Sequence, residues 1–262
     1  MKHILSLTYF KDQSVNGNFG DELSKFITQN LIDHEKYKLI FNKNGEFNLL
    51  CIGSYLHEAK ENFYIFGSGV RTAENIEGGH RYKNLKVYAV RGPLTRDWLK
   101  KRGINVPEIY GDPALLLPKY FKPTILENLK NKIGIVPHKS NFLNYLDIND
   151  DRFFLINPTD KWETVINQIC SCKSIISSSL HGLICADAYN IPNLWIDEYP
   201  LQEGDFKFKD YFQSQNREYV KIKSIKEYND NLLWKGGNSL NLEKLISSFP
   251  FSKMNHYSHK QN

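Results

Sequence analysis

The sequence predicts an α/β protein made of two Rossmann-like lobes facing a cleft, and three observations carry that reading. Short apolar runs alternate with segments of helical period along the chain, the pattern of parallel strands joined by crossover helices. Several of those runs end in Gly-Ser, Gly-Ser-Gly or Arg-Gly-Pro, turn sequences suited to ligand binding beyond the carboxyl ends of such strands. The alternation pauses between about Leu117 and Asn131, around Pro118 and Pro123, and then restarts. Residues 1–117 therefore form one lobe, residues 118–251 a second lobe with a final amphipathic helix, and residues 252–262 a polar tail.

In chain order, Ile4–Phe10 reads as the first strand, followed by a loop over Ser14–Gly20. Asp21 is placed to cap a helix with Leu23, Phe26, Ile27 and Leu31 on one face. Asn48–Gly53, Phe63–Gly67 and Lys86–Val90 read as buried strands. The last of these runs into Arg91-Gly92-Pro93, where Pro93 suits the first turn of a helix ending near Gly103. Val106–Tyr110 then leads into Gly111-Asp112-Pro113-Ala114. In the second lobe the strands are Lys132–Val136, Phe153–Ile156, Ser174–Ser178 and Asn193–Ile196, with helices over Lys161–Cys172 and Leu183–Tyr189. Leu242, Leu245, Ile246 and Phe249 mark a last helix over Leu240–Phe249.

Composition excludes several classes of function. With 41% hydrophobic and 13% aromatic residues in a chain of 262, a sizeable core can be buried. The longest apolar runs are strand-sized, against the ~20 residues that a membrane span requires. The N-terminus enters Lys11-Asp12 without a small-residue cleavage site and reads as a strand rather than a signal peptide. Cys51 and Cys185 lie in apolar segments, and Cys170-x-Cys172 lacks the spacing of a zinc site, so a reduced, cytoplasmic protein without a metal centre is expected. A net charge of +5 favours an anionic substrate or peripheral contact with an anionic membrane, at its inner face, over nucleic acid, for which no reading motif exists.

Chemistry is expected where strands meet helix N-termini, which offer unpaired N–H groups to anions. The candidate turns are Asn16–Asp21, Gly67–Arg71, Arg91–Pro93, Val136–Ser140 and Ser177–Gly182. None is a P-loop, a dinucleotide fingerprint or a nucleophile elbow. Ser177-Ser178-Ser179-Leu180-His181-Gly182 is the most specific, with hydroxyls and backbone N–H groups at a helix entry. An anion bound there would be held by the helix dipole and would keep His181 protonated. Arg91 ends a strand, where its fork either clamps an anion in the cleft or forms an interlobe salt bridge. His138 and Lys139 share the cleft edge of the second lobe. Asp21 is either a helix cap or a base facing an acceptor hydroxyl; Asp112 reads as a turn residue, and Asp187 either meets a ligand hydroxyl or caps a loop.

With these residues in place, the chain resembles the polysaccharide pyruvyl transferase family. The resemblance rests on Asn18-Phe19-Gly20-Asp21, Ile65-Phe66-Gly67-Ser68-Gly69, Val90-Arg91-Gly92-Pro93-Leu94-Thr95, Gly111-Asp112-Pro113-Ala114, Val136-Pro137-His138 and Ser178-Ser179-Leu180-His181-Gly182, in that order and spacing. It implies a fold similar to GT-B glycosyltransferases, with the acceptor on the first lobe and the donor on the second. It also implies transfer of a pyruvyl group from phosphoenolpyruvate onto two hydroxyls of a sugar or lipid-linked oligosaccharide, without a cofactor. Arg91 and the Leu180-His181 pair match donor-binding residues of the family. His138, Lys139, Ser178, Ser179 and Gly182 are expected around the donor, with His181 as acid and Asp21 as base. Ser179 stands where some relatives have arginine, so a second cation is needed, from Lys139 or Arg71. The competing readings are a nucleotide-sugar glycosyltransferase, with Asp187 or Asp197 on the ribose, and a non-catalytic anion- or sugar-binding protein.

Overall fold

A computed structural model describes residues 1–10, 17–72, 82 and 84–253. Lys11 to Asn16, which include the start of the first candidate turn, and tail residues 254–262 lie outside the described residues. Among those described, two parallel sheets of five strands each carry the fold. The first contains β1 (His3–Thr8), β2 (Tyr37–Phe41), β3 (Phe47–Leu50), β4 (Tyr64–Phe66) and β5 (Lys86–Ala89), in the order β2-β1-β3-β4-β5. The second contains β6 (Ile133–Val136), β7 (Phe153–Leu155), β8 (Ser174–Ser177), β9 (Asn193–Ile196) and β10 (Lys221–Ile222), in the order β10-β9-β8-β6-β7. Both orders reverse direction within the sheet, as in Rossmann-like folds. β6, β8 and β9 are buried at every position, which is why they read as unbroken apolar runs.

The helices are α1 (Phe19–Leu31), α2 (Pro93–Lys100), α3 (Leu117–Tyr120), α4 (Trp162–Ser171), α5 (Leu180–Ala188), α6 (Phe206–Ser214) and α7 (Leu242–Ser247). Asn18, not Asp21, caps α1: its side chain accepts from Gly20 N–H, and Asp21 occupies the first turn, where a carboxylate favours the helix dipole. α5 starts at Leu180 rather than Leu183, so His181 is its second residue. Seven of its nine residues are buried, and this all-round burial hides the helical period that exposed helices show. Asn190, after α5, takes a left-handed φ of 58°, a conformation asparagine tolerates. Val106–Tyr110 does not form a strand; only Tyr110 bridges to Val90.

One buried apolar cluster runs through both halves of the chain. Phe26 of α1 packs on Trp162 of α4 with ring centroids 4.5 Å apart, and Phe19 N–H donates to Pro158 O at 3.1 Å. The residues after α7 return to the first sheet: Phe249 packs on Phe66, and Phe251 on Tyr37, Phe47 and Tyr64. These contacts bring the N-terminus of α1 against the N-terminus of α5.

Candidate active site

β8 delivers Ile175 and Ile176 to the core and leaves Ser177 at the turn into α5. The Ser177 hydroxyl donates to Val136 O and accepts from Ser179 N–H, fastening the turn to β6. Ser178 Oγ accepts from His138 N–H at 2.9 Å and so positions the loop after β6. Ser179 is the N-cap of α5 but makes no capping hydrogen bond, which leaves its hydroxyl facing the pocket. Gly182 faces inward, because a Cβ there would lie 2.3 Å from Ser177 Oγ. Ser178 and Gly182 therefore build the turn, and Ser179, Leu180 and His181 present its ligand-facing surface.

The pocket in front of this turn holds about 190 Å³. Asn18, Asp21, Ser54, Tyr55 and Arg71 line it from the first half of the chain, and His138, Lys139, Ser179, His181 and Lys207 from the second. The expected Asp21, His138, Lys139, Ser179, Leu180 and His181 thus converge. Arg71 joins them as a cation, and Lys207 is an addition that the sequence reading did not contain.

Arg91 is elsewhere. Its side chain is fully buried, with Nε donating to Asp210 of α6 at 3.0 Å, Nη1 to Ser54 Oγ and Nη2 to Val70 O at 2.6 Å. Its fork is taken up by the ion pair with Asp210 and by Ser54 and Val70, and it is not open to the pocket as an anion clamp would be. Gly69 makes room for it: a Cβ there would lie 2.4 Å from the guanidinium carbon. Asp210 also accepts from Thr95 N–H at 2.8 Å and Thr95 Oγ1 at 2.7 Å.

His181 sits where the two helix starts meet. A Cβ on Gly20 would lie 2.0 Å from His181 Nδ1, so only glycine lets α1 approach this closely. His181 Nε2 and Asp112 Oδ2 face each other at 3.9 Å, both buried and both without a hydrogen bond. Asp112 does serve the turn, its Oδ1 accepting from Ala114 N–H, but the other oxygen points to the histidine. Burial holds the imidazole pKa down at about 3, helped by the charges of Arg91 and Lys207. Without an anion the imidazole is therefore neutral, and the expected protonation of His181 belongs to the anion-bound site. Burial raises Asp112 to about 6 and Asp21 to about 7, the latter against the pull of Asn18, Lys139 and Arg71. His138 is pushed down to about 4, first by burial and then by Lys207.

Two other acids are spent in structure. Asp187 is buried and accepts from Asn193 Nδ2 at 2.6 Å and Tyr211 OH at 2.9 Å, with Arg217 Nη1 at 3.4 Å. Asp197 pairs with Lys221 at 2.7 Å. The ribose acid that a nucleotide-sugar site requires is therefore supplied by neither. Among the described residues, no three of His, Cys, Asp and Glu converge as metal ligands would.

The sequence matches the family profile described as polysaccharide pyruvyl transferase over residues 7–200. It is 29% identical over 205 residues to uncharacterized protein L143 of Acanthamoeba polyphaga mimivirus, covering 74% of this chain and 69% of that protein. It is 27% identical over 222 residues to the succinoglycan biosynthesis protein ExoV of Rhizobium meliloti (strain 1021), covering 77% of this chain and 63% of ExoV.

Proposed function

The chain belongs to the polysaccharide pyruvyl transferase family, and from that premise we propose that it moves the pyruvyl group of phosphoenolpyruvate onto two hydroxyls of one sugar. The sugar belongs to a cell-surface polysaccharide or its precursor, a reading supported by the likeness to ExoV, a succinoglycan biosynthesis protein. The observation that carries the reading is the convergence of cations, His181 and Asp21, an acid with a raised pKa, on one small pocket at a helix N-terminus, with buried Asp112 behind His181. The two Rossmann-like halves would then act as the lobes of GT-B enzymes do, with the acceptor on the first and the donor on the second.

The donor is a small anion carrying up to three charges, and Arg71, Lys139, Lys207 and the N–H groups of α5 are suited to hold it. Its arrival adds negative charge beside a neutral imidazole and draws a proton onto His181, with Asp112 in reach to stabilise the cation. His181 then delivers that proton to the methylene carbon, C2 becomes electrophilic, and the first hydroxyl adds there while Asp21 accepts its proton. The second hydroxyl displaces phosphate from C2 and closes the ketal. One of the two hydroxyl protons replaces the proton spent on the methyl group and the other leaves with phosphate, so the reaction balances without a cofactor.

Among the described residues no helix is long and apolar enough to cross a membrane. We place the protein in the cytoplasm, where its net positive charge favours an acceptor at the inner face of an anionic membrane. The test supplies phosphoenolpyruvate with a panel of nitrophenyl glycosides and lipid-linked sugar precursors. Release of phosphate coupled to a pyruvyl ketal on the sugar supports the reading. Turnover only with a nucleotide sugar, or anion binding without turnover, defeats it.

A further inference from the structure

Replacement of an arginine by Ser179 leaves open which side chain takes the charge of the donor. Arg91 is fully used by Asp210, Ser54 and Val70. The Lys139 ammonium also lines the pocket and lies over the Phe10 ring, 5.0 Å from its centroid. The Lys207 ammonium likewise lies over a ring, that of Phe208 on its own helix, 5.6 Å from the centroid. Its side chain is only 8% exposed yet lines the pocket, and among the described residues its one carboxylate contact within 4 Å, Glu203, is at 3.8 Å, too far for a hydrogen bond. Its charge acts on both His181 and His138, and all three side chains line the same pocket. Burial lowers the Lys207 pKa to about 8, against the pull of Glu203 and Asp21.

Lys207 also shares a helix face with Asp210, three residues on. Asp210 is fixed to the first sheet by Arg91 Nε, Thr95 N–H and Thr95 Oγ1. Gly92 lets the helix sit this close, since a Cβ there would lie 2.0 Å from Asp210 O. The second turn of α6 is thus bolted to the Arg91–Thr95 segment, one turn on from Lys207.

We propose that Lys207 is the direct cationic ligand of the donor phosphate, and that Arg91 is a positioning residue that holds Lys207 in place through Asp210. This rests on phosphoenolpyruvate being the donor. Arg91 then matters to donor binding without touching the donor, and Lys207 fills the role that arginine has in relatives at the position of Ser179.

The test is calorimetric titration of the full chain with phosphoenolpyruvate and, separately, inorganic phosphate. Lys207→Met is expected to weaken phosphoenolpyruvate binding about ten-fold or more, and Lys207→Arg to restore it to within about three-fold. Asp210→Asn should weaken binding in the parent chain but add less than about two-fold in the Lys207→Met background, as residues acting through one another do. Thr95→Val, which removes one of the bonds to Asp210, gives the same non-additive pattern if Asp210→Asn does not fold. Losses that multiply, or binding by Lys207→Met within about two-fold of the parent, overturn the proposal. A parent chain that binds phosphate but not phosphoenolpyruvate defeats the donor reading, while the phosphate titrations still decide on Lys207. A parent that binds neither removes both.

Discussion

His181 Nε2 and Asp112 Oδ2 stand 3.9 Å apart in the core of the protein, and neither atom has a hydrogen-bond partner. Two buried orphans facing each other cost stability that a packed apolar pair would not, so their retention points to a proton held between them in the working state. Asp112→Asn keeps the turn, because the amide oxygen can still accept from Ala114 N–H. The variant is expected to melt within a few degrees of the parent while ketal formation falls about 100-fold or more. The pH–rate profile distinguishes a proton-holding role from a merely structural one. The limb near pH 6, set by the raised Asp112 carboxyl, should disappear with the amide.

The Asp187–Arg217 pair makes the opposite prediction. Its side chains are 0% and 3% exposed, and Asn193 and Tyr211 complete the hydrogen bonding. Arg217→Met leaves a buried carboxylate without its cation, and unfolding in urea should show a loss of about 3–5 kcal/mol. The folded fraction should still bind phosphoenolpyruvate as the parent does, because the pair lies outside the donor pocket. A selective loss of donor binding without a stability change would return Asp187 to the ligand-contact role.

Most of the fold was legible because β-branched and aliphatic runs such as Ile133–Val136 and Ser174–Ser177 are strand-sized and bounded by turns. β2 was not read, since Tyr37–Phe41 is half-buried and interrupted by Lys38, and β10 is only two residues long. The donor turn was legible because several small and polar residues cluster at one strand end. Lys207 was hidden: in Phe206-Lys207-Phe208-Lys209 the alternation imitates a strand, whereas the segment opens a helix anchored by Phe208, Tyr211 and Phe212. The fate of Arg91 was hidden for another reason. Its partner Asp210 is 119 residues away, and no local pattern announces such a pairing. Asp112 read as a turn residue because it is one, and only the fold shows where its second oxygen points.

Gly20 offers a steric test of the same centre. Its Cα lies against His181, and an added Cβ would meet Nδ1 at 2.0 Å and the adjoining ring carbon at 2.4 Å. Gly20→Ala must push the imidazole away from Asp112 or lift α1 off α5. Helix propensity alone favours alanine by about 1 kcal/mol, so a fall in melting temperature would itself report the clash. Ketal formation is expected to drop about 100-fold, the scale of a misplaced acid. Full activity in Gly20→Ala would show that the position of His181 is not critical.

Asp21 gives the last prediction, and its sign follows from burial. Its carboxyl is raised from the ordinary aspartate range to about 7 in the folded chain, chiefly by desolvation and partly offset by Asn18, Lys139 and Arg71. In the unfolded chain it ionises near pH 4. Below that pH both states carry the proton and the group does not penalise folding. As pH rises from about 4 to about 7 the unfolded state ionises first, so this stability contribution is lost progressively and is absent above pH 7. Asp21→Asn removes that dependence. The variant should match the parent in melting temperature near pH 4 and exceed it near pH 8, while ketal formation falls about 100-fold or more for want of the base. In the parent, the rate should rise through pH 7 as Asp21 becomes able to accept a hydroxyl proton. A variant that loses stability at pH 8 would mean that the ionised carboxylate holds the cations of the pocket in place. Asp21 would then be their structural counter-ion rather than the base.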